Sequence, residues 1–256
     1  MKINPKFKKV AFLAVRKAGK IIEKNFRKIN KVSFKKDLSL LTKVDIASEK
    51  TITQLIKNNF PSHNILAEER GGKIGNNYTW IIDPLDGTTN YSRNIPFFSI
   101  SLALTYRRNP ILGVIFNPIS KELYFAEKGK GAFLNGQRIK VTQQQILSRA
   151  LILFNKYRTE DAFRKIHKII GVVGKKSPGF RIFGSVTLAL CYLASGKSDA
   201  CFAAGMNPWD LSAGVLIIKE AGGKVTNLKG EDWQLGEKDI IAANKKLHNQ
   251  LLKLIK

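Results

Sequence analysis

Two aspartates, Asp83 and Asp86, flank Pro84 and Leu85 in the segment WIIDPLDGTTNY at residues 80–91. Trp80, Ile81 and Ile82 suit a strand, and Pro84 keeps the residue before it out of helical backbone. Asp83 is therefore expected at a strand end with its carboxylate leaving the sheet. Gly87 permits close backbone approach, and Thr88 and Thr89 can open a short helix whose free N–H groups point back toward the carboxylates. Such an arrangement would hold a hard cation and an anion side by side. The same residues also make an ordinary turn, with Asp86 as a helix N-cap. Two further acids stand at apolar boundaries, Glu68 after Ile65-Leu66-Ala67 and Asp210 after Pro208-Trp209. Carboxylates there are costly to bury unless they are paired or bind metal. These donors are oxygens, and His63, His167 and His248 lie outside the motifs, which favours Mg²⁺ or Mn²⁺ over Zn²⁺.

The elements that must position these acids follow from periodicity. Phe7, Val10, Ala14, Ala18, Ile21 and Ile22 recur at helical spacing from Pro5 to about Lys28. A second helix is expected over residues 45–58, with Asp45 near its start and Pro61 beyond its end. Residues 64–67 form a short element, and 79–82 a buried strand. Runs at 97–106, 111–116 and 122–126, separated by turn residues, predict an antiparallel sheet. After residue 146 strands at 150–154, 200–203 and 240–242 alternate with helices at 160–170, 186–194, 211–221 and the C-terminus, with Val225 between the last two strands. This predicts a larger N-terminal α+β half, residues 1–146, and a smaller C-terminal α/β half, residues 147–256.

The 256 residues carry 44 basic and 19 acidic side chains, a net charge of +25, with 44% hydrophobic residues. That apolar share places the chain among globular proteins and excludes a disordered tail. Lysine outnumbers arginine about three to one and is spread in small clusters. The charge fits either a solvated lysine-rich surface or a polyanion partner. Cys191 and Cys201 sit in apolar surroundings without a CxxC pattern, so buried free thiols and a reducing cytoplasm are expected. No stretch has the apolar length of a membrane span, and none is expected to bind a membrane.

LAEE at residues 66–69, WIIDPLDGTTNY, PWD at 208–210 followed by Ala213-Gly214, and EAGG at 220–223 together resemble the inositol monophosphatase family of Mg²⁺-dependent, lithium-sensitive phosphatases. The resemblance runs from the first helix to the last. It implies a layered αβαβα sandwich of the sugar-phosphatase type, usually a homodimer, acting on inositol monophosphate or a related sugar or polyol phosphate. Carried onto this chain, Glu68, Asp83 and the Leu85 carbonyl would hold a first metal. Asp83, Asp86 and Asp210 would hold a second, and a weak third would lie near Glu68. The amides of Gly87 and Thr88 would cradle phosphate, with Asp86 and Asp210 also facing the substrate. Thr88, supported by Asp45, would orient the attacking water, although Asp45 can also be read as an exposed acid favoured at a helix N-terminus. Either Lys35 or Lys36 corresponds to a lysine near the family's site.

Gly184, Ser185 and Val186 fit the segment that contacts the sugar or cyclitol. Many members carry a Glu in the strand before the WD pair, where this chain has Ala203, so selectivity for inositol phosphate is expected to fall more than phosphatase chemistry. Residues 69–77, ERGGKIGNN, read either as a mobile flap that contributes to metal binding or as a surface connection. Trp233 and the 186–194 helix read as packing. Some bacterial members act with ribosomal-RNA antitermination factors independently of phosphatase activity, so an RNA or transcription-factor partner is the alternative expectation.

Overall fold

Asn4 caps the first helix by accepting the Lys6 amide at 2.9 Å, and Pro5 occupies its first turn, where a missing N–H costs nothing. In this computed structural model, which describes residues 3–28, 32–34, 40–156 and 159–255, α1 spans Pro5–Asn25. Its Phe7, Val10, Ala14, Ala18 and Ile22 are buried as the periodicity predicts. The expected lysine at Lys35 or Lys36 lies outside the described residues.

In chain order there follow β1 (Val32–Phe34), β2 (Leu40–Thr42), α2 (Lys43–Asn59), β3 (Asn64–Ala67), β4 (Gly71–Gly72), β5 (Tyr78–Asp86) and α3 (Thr88–Ser92). A run of strands continues with β6 (Ser99–Tyr106), β7 (Asn109–Asn117), β8 (Glu122–Glu127), β9 (Gly131–Leu134) and β10 (Gln137–Ile139). The remainder comprises β11 (Leu151–Lys156), α4 (Glu160–Val173), β12 (Gly179–Arg181), α5 (Val186–Ala194) and β13 (Ala200–Ala204). It ends with α6 (Pro208–Glu220), β14 (Lys224–Thr226), β15 (Ile240–Ala243) and α7 (Lys245–Ile255).

An eight-stranded sheet has the order β10-β9-β8-β7-β6-β5-β3-β4 and is antiparallel except where β3 runs parallel to β5. A five-stranded mixed sheet has the order β12-β11-β13-β15-β14. Three apolar clusters separate five layers. Trp80 and Ile82 of β5 pack with α1 and α2, whereas Ile81 between them packs with α5 and α6 on the opposite face. The same alternation on β13 sends Cys201 and Ala203 toward α5 and α6, and Phe202 toward α4 and α7. The order is therefore α1/α2, large sheet, α5/α6, small sheet, α4/α7, which is the expected αβαβα sandwich. Helix α6 is buried from Leu211 to Ile218 because both of its sides meet sheet or helix. At Gly113 of β7 a Cβ would stand 2.8 Å from the Ala213 carbonyl oxygen, so only glycine lets helix and sheet approach this closely.

Three local readings change. Strand β5 runs past Asp83 to Asp86, its pairing with β6 shifting register between them, since Pro84 has no N–H to offer the ladder. The β9–β10 hairpin was signalled by Asn135-Gly136, whose φ angles of 48° and 86° suit a two-residue turn. Helix α6 begins three residues before the expected Leu211, because Asn207 and Asp210 form a capping box and Pro208 occupies its first turn.

Candidate active site

The end of β3, the β5–α3 bend and the starts of α5 and α6 meet at one cavity of about 290 Å³. Its lining includes Glu68, Asp83, Leu85, Asp86, Gly87, Thr88 and Asp210, drawn from sequence-distant motifs. Gly184, Val186, Asn155, Ile182 and Met206 form the remainder. No lysine or arginine among the described residues lines it, although the chain carries a net charge of +25.

Each acid is aimed by local backbone chemistry. Asp83 accepts the Leu85 amide at 3.0 Å, which fixes the DPLD bend, and Ser48 of α2 donates to the Pro84 carbonyl at 2.9 Å. Oδ2 of Asp86 accepts from Ser185 Oγ at 2.5 Å, the Thr187 amide at 2.8 Å and Thr187 Oγ1 at 2.5 Å. The start of α5 thus grips an acid from the other sheet. Asp210 accepts the Asn207 amide at 2.6 Å as the third residue of α6. Glu68 follows β3 directly, and its amide donates to Ile82 of β5 at 3.1 Å.

Burial, reinforced by the charges of Glu68, Asp86 and Asp210, pushes the Asp83 carboxyl well above the usual carboxylate range. Burial also raises Asp86, against the donors from Ser185 and Thr187 that favour its ionised form. Four acids repelling one another around one cavity, all oxygen donors, fit a bound hard cation, which would relieve the repulsion. Among the described residues no three acids, histidines or cysteines close into a ready-made cage. Mg²⁺ does not require one, since it keeps several waters and takes few protein ligands.

Asp45 is not exposed: it is 1% accessible and serves two purposes. Its Oδ2 accepts the Thr42 amide at 2.9 Å in the α2 capping box, and its Oδ1 lies 3.2 Å from the Thr88 hydroxyl. That hydroxyl also stands 3.0 Å from the Leu85 carbonyl. Gly87 has φ +92°, and a Cβ there would approach the Phe97 carbonyl to 3.0 Å, so the tight entry into α3 needs glycine.

Two expected substrate contacts stand elsewhere. Ser185 is fully buried behind Asp86 and spends its hydroxyl on that acid. Ala203 is fully buried in the inter-sheet core, and its short methyl side chain is not among the groups that line the cavity. The polar side chain on that wall is Asn155, its register partner on β11. Sequence reading passed over Asn155, whose only signal was an amide within the apolar strand ILFN. Residues 69–77 begin as a hairpin, with Gly71 and Gly72 paired back onto β3. His63, His167 and His248 are not among the residues lining the cavity.

The chain is thus a five-layer αβαβα sandwich that gathers four acids, Glu68, Asp83, Asp86 and Asp210, at one cavity beside a glycine-led bend. A model of the inositol monophosphatase family matches residues 4–256. Inositol monophosphatase 3 of Solanum lycopersicum is 37% identical, over 97% of this chain and 96% of the relative. A protein of Neisseria meningitidis serogroup B named putative Nus factor SuhB is 38% identical, over 99% and 98%. The crystal structure of extragenic suppressor protein suhB from Bartonella henselae superposes with a TM-score of 0.92 at 33% identity, covering 98% of both chains. The chain belongs to the inositol monophosphatase family.

Proposed function

We propose that this protein is a divalent-metal-dependent phosphomonoesterase acting on inositol monophosphate or a related sugar or polyol phosphate. One observation carries the reading: four carboxylates and no basic side chain among the described residues line the cavity of a strongly basic protein. A phosphate dianion has no favourable place there unless cations are bound first. Glu68, Asp83 and the Leu85 carbonyl would hold one Mg²⁺, and Asp83, Asp86 and Asp210 another, with Mn²⁺ as a substitute and a weaker third near Glu68. When bound, the ions neutralise phosphate charge and lower the pKa of water.

The chain's own groups do the rest. The amides of Gly87 and Thr88 bind phosphate oxygens at the start of α3. Thr88 donates its hydroxyl proton toward Asp45 Oδ1, which leaves an oxygen lone pair to accept from the attacking water. The Thr42 amide, donating to the other oxygen of Asp45, fixes that carboxylate in place to receive the proton. Gly184, Val186 and Asn155 meet the alcohol portion.

The test is phosphate release from inositol, sugar and nucleotide monophosphates with Mg²⁺, with chelator, and with added lithium. Metal-dependent, lithium-inhibited release that Asp86→Asn abolishes supports the reading. Equal release in excess chelator refutes it. Homodimerisation belongs to the same proposal: the adjoining segments around Ile95 and Ile182 expose 47% and 55% of these side chains, and light scattering reads the mass.

A second reading, an RNA or transcription-factor partner, is favoured by a basic aromatic face. Lys8 lies over Phe12 and Phe125, Arg16 over Phe12, and Arg138 over Phe133. Relatives named Nus factor SuhB fit this reading. Binding by Asp86→Asn that weakens steeply with salt supports it, and salt-insensitive binding opposes an RNA contact. No helix among the described residues is long and apolar enough to cross a membrane. A cytoplasmic location is part of the proposal and agrees with the buried free thiols Cys191 and Cys201.

A further inference from the structure

We propose that Glu49 is a positioning residue for Glu68, acting through the backbone of the turn that carries this acid. The inference rests on the reading of Glu68 as a metal ligand. Glu49 lies one turn after Asp45 on α2 and is 1% accessible. A buried carboxylate is costly unless its hydrogen bonds return the energy, so its presence on the buried face of α2 requires a reason.

The reason is visible at the end of β3. Ala67 pairs with Gly71, so Glu68, Glu69 and Arg70 form a three-residue turn, completed by Gly71 at φ +69°. Glu49 Oε2 accepts the Glu69 amide at 2.7 Å, the shorter, charge-assisted kind of bond. The Glu68 amide is meanwhile held by the Ile82 carbonyl at 3.1 Å, next to Asp83 on β5. Both peptide groups flanking Glu68 are therefore fixed, one by β5 and the other by α2. Since Asp45 and Glu49 are four residues apart on one helix face, α2 sets the Thr88 hydroxyl and the Glu68 turn together.

Arg70 does not account for Glu49. Its Nε stands 3.7 Å from Oε1 with the arginine 52% exposed, which is weak pairing, and Oε1 accepts no hydrogen bond. The strong contact is the one made to the turn.

Two conservative variants separate positioning from charge. Glu49→Asp keeps the charge and shortens the reach; Glu49→Gln keeps the reach and an acceptor oxygen but loses the charge. Mn²⁺ affinity of the metal-stripped full chain is read by titration in electron paramagnetic resonance, with amide exchange at Glu69 followed alongside. Positioning predicts a dissociation constant raised about tenfold or more in Glu49→Asp and within about threefold of wild type in Glu49→Gln. Exchange at Glu69 should accelerate in the Asp variant. Wild-type Mn²⁺ affinity in Glu49→Asp overturns the inference, and so does a loss in Glu49→Gln as large as in Glu49→Asp, which would indicate charge alone. A wild-type chain that binds no Mn²⁺ overturns the metal reading itself, and this inference with it.

Discussion

Replacing Thr187 by valine removes one hydroxyl from a fully buried site without changing its volume much. That hydroxyl donates to Asp86 Oδ2 at 2.5 Å and stands 2.6 Å from Ser99 Oγ on β6. Hydrogen bonds to a charged group contribute about 1.5–3 kcal/mol, and losing this one also leaves Ser99 short of a partner. Asp86 keeps the Ser185 hydroxyl and the Thr187 amide, which limits the damage. The expected destabilisation is about 2–3 kcal/mol. For a chain of this size that lowers Tm by about 4–12 °C. Calorimetry in chelator measures the fold alone, and a parallel Mn²⁺ titration measures the acid's readiness to bind. Affinity should fall with stability, since the lost donor favours the ionised form of Asp86. A Tm within about 1 °C of wild type and unchanged Mn²⁺ affinity would refute the claim that α5 sets this acid.

Four further outcomes follow from the geometry. Mg²⁺ at a hundred times its dissociation constant should stabilise the chain by about 2.7 kcal/mol over chelator, seen as a rise in Tm. Thr88→Val should lower kcat by about a hundredfold or more with little change in Tm, which steady-state kinetics and melting separate. Asn155→Ala should raise KM for sugar and polyol phosphates while leaving turnover at saturation within about threefold, if the amide meets the alcohol portion. Buried His248 has its pKa lowered to about 4 by burial and by Lys224, so its folded state binds fewer protons than the unfolded one below an ordinary histidine pKa. Stability from its neutral form is thus present at pH 7 and is lost as pH falls from about 6.5 toward 4. Relative to wild type, His248→Gln should gain up to about 3 kcal/mol across that window in chemical unfolding curves.

Which parts of this were legible in the sequence follows from the range of the forces involved. The faces of α1 and β5 repeat at helix and strand periods, so burial of Phe7, Val10, Ile81 and Ile82 could be read directly. Glu68, Asp83, Asp86 and Asp210 stood out because acids at apolar boundaries need partners. Hidden from the sequence were contacts between segments far apart along the chain. Nothing local says that Ser185 faces Asp86 and not a ligand, or that Asn155 and not residue 203 reaches the cavity. The pairing of Asp45 with Thr88 was expected from the family resemblance and not from its own segment, where Asp45 also reads as a helix-start acid, because the contact forms only when α2 packs beneath the bend. The β9–β10 hairpin was within reach, through its Asn-Gly turn.

The grip of Ser185 and Thr187 on Asp86 spans 99 and 101 residues. A ribosome therefore delivers Glu68, Asp83 and Asp86 well before the donors that hold the last of them, and Asp210 later still. Until residues 185–210 have been made, the cavity lacks one of its four acids and the donors that fix Asp86. The full lining of the cavity is therefore present only once residue 210 has been made. A product that ends before residue 185 carries DPLDGTTN but neither the donors to Asp86 nor Asp210, so that motif alone does not identify a complete site.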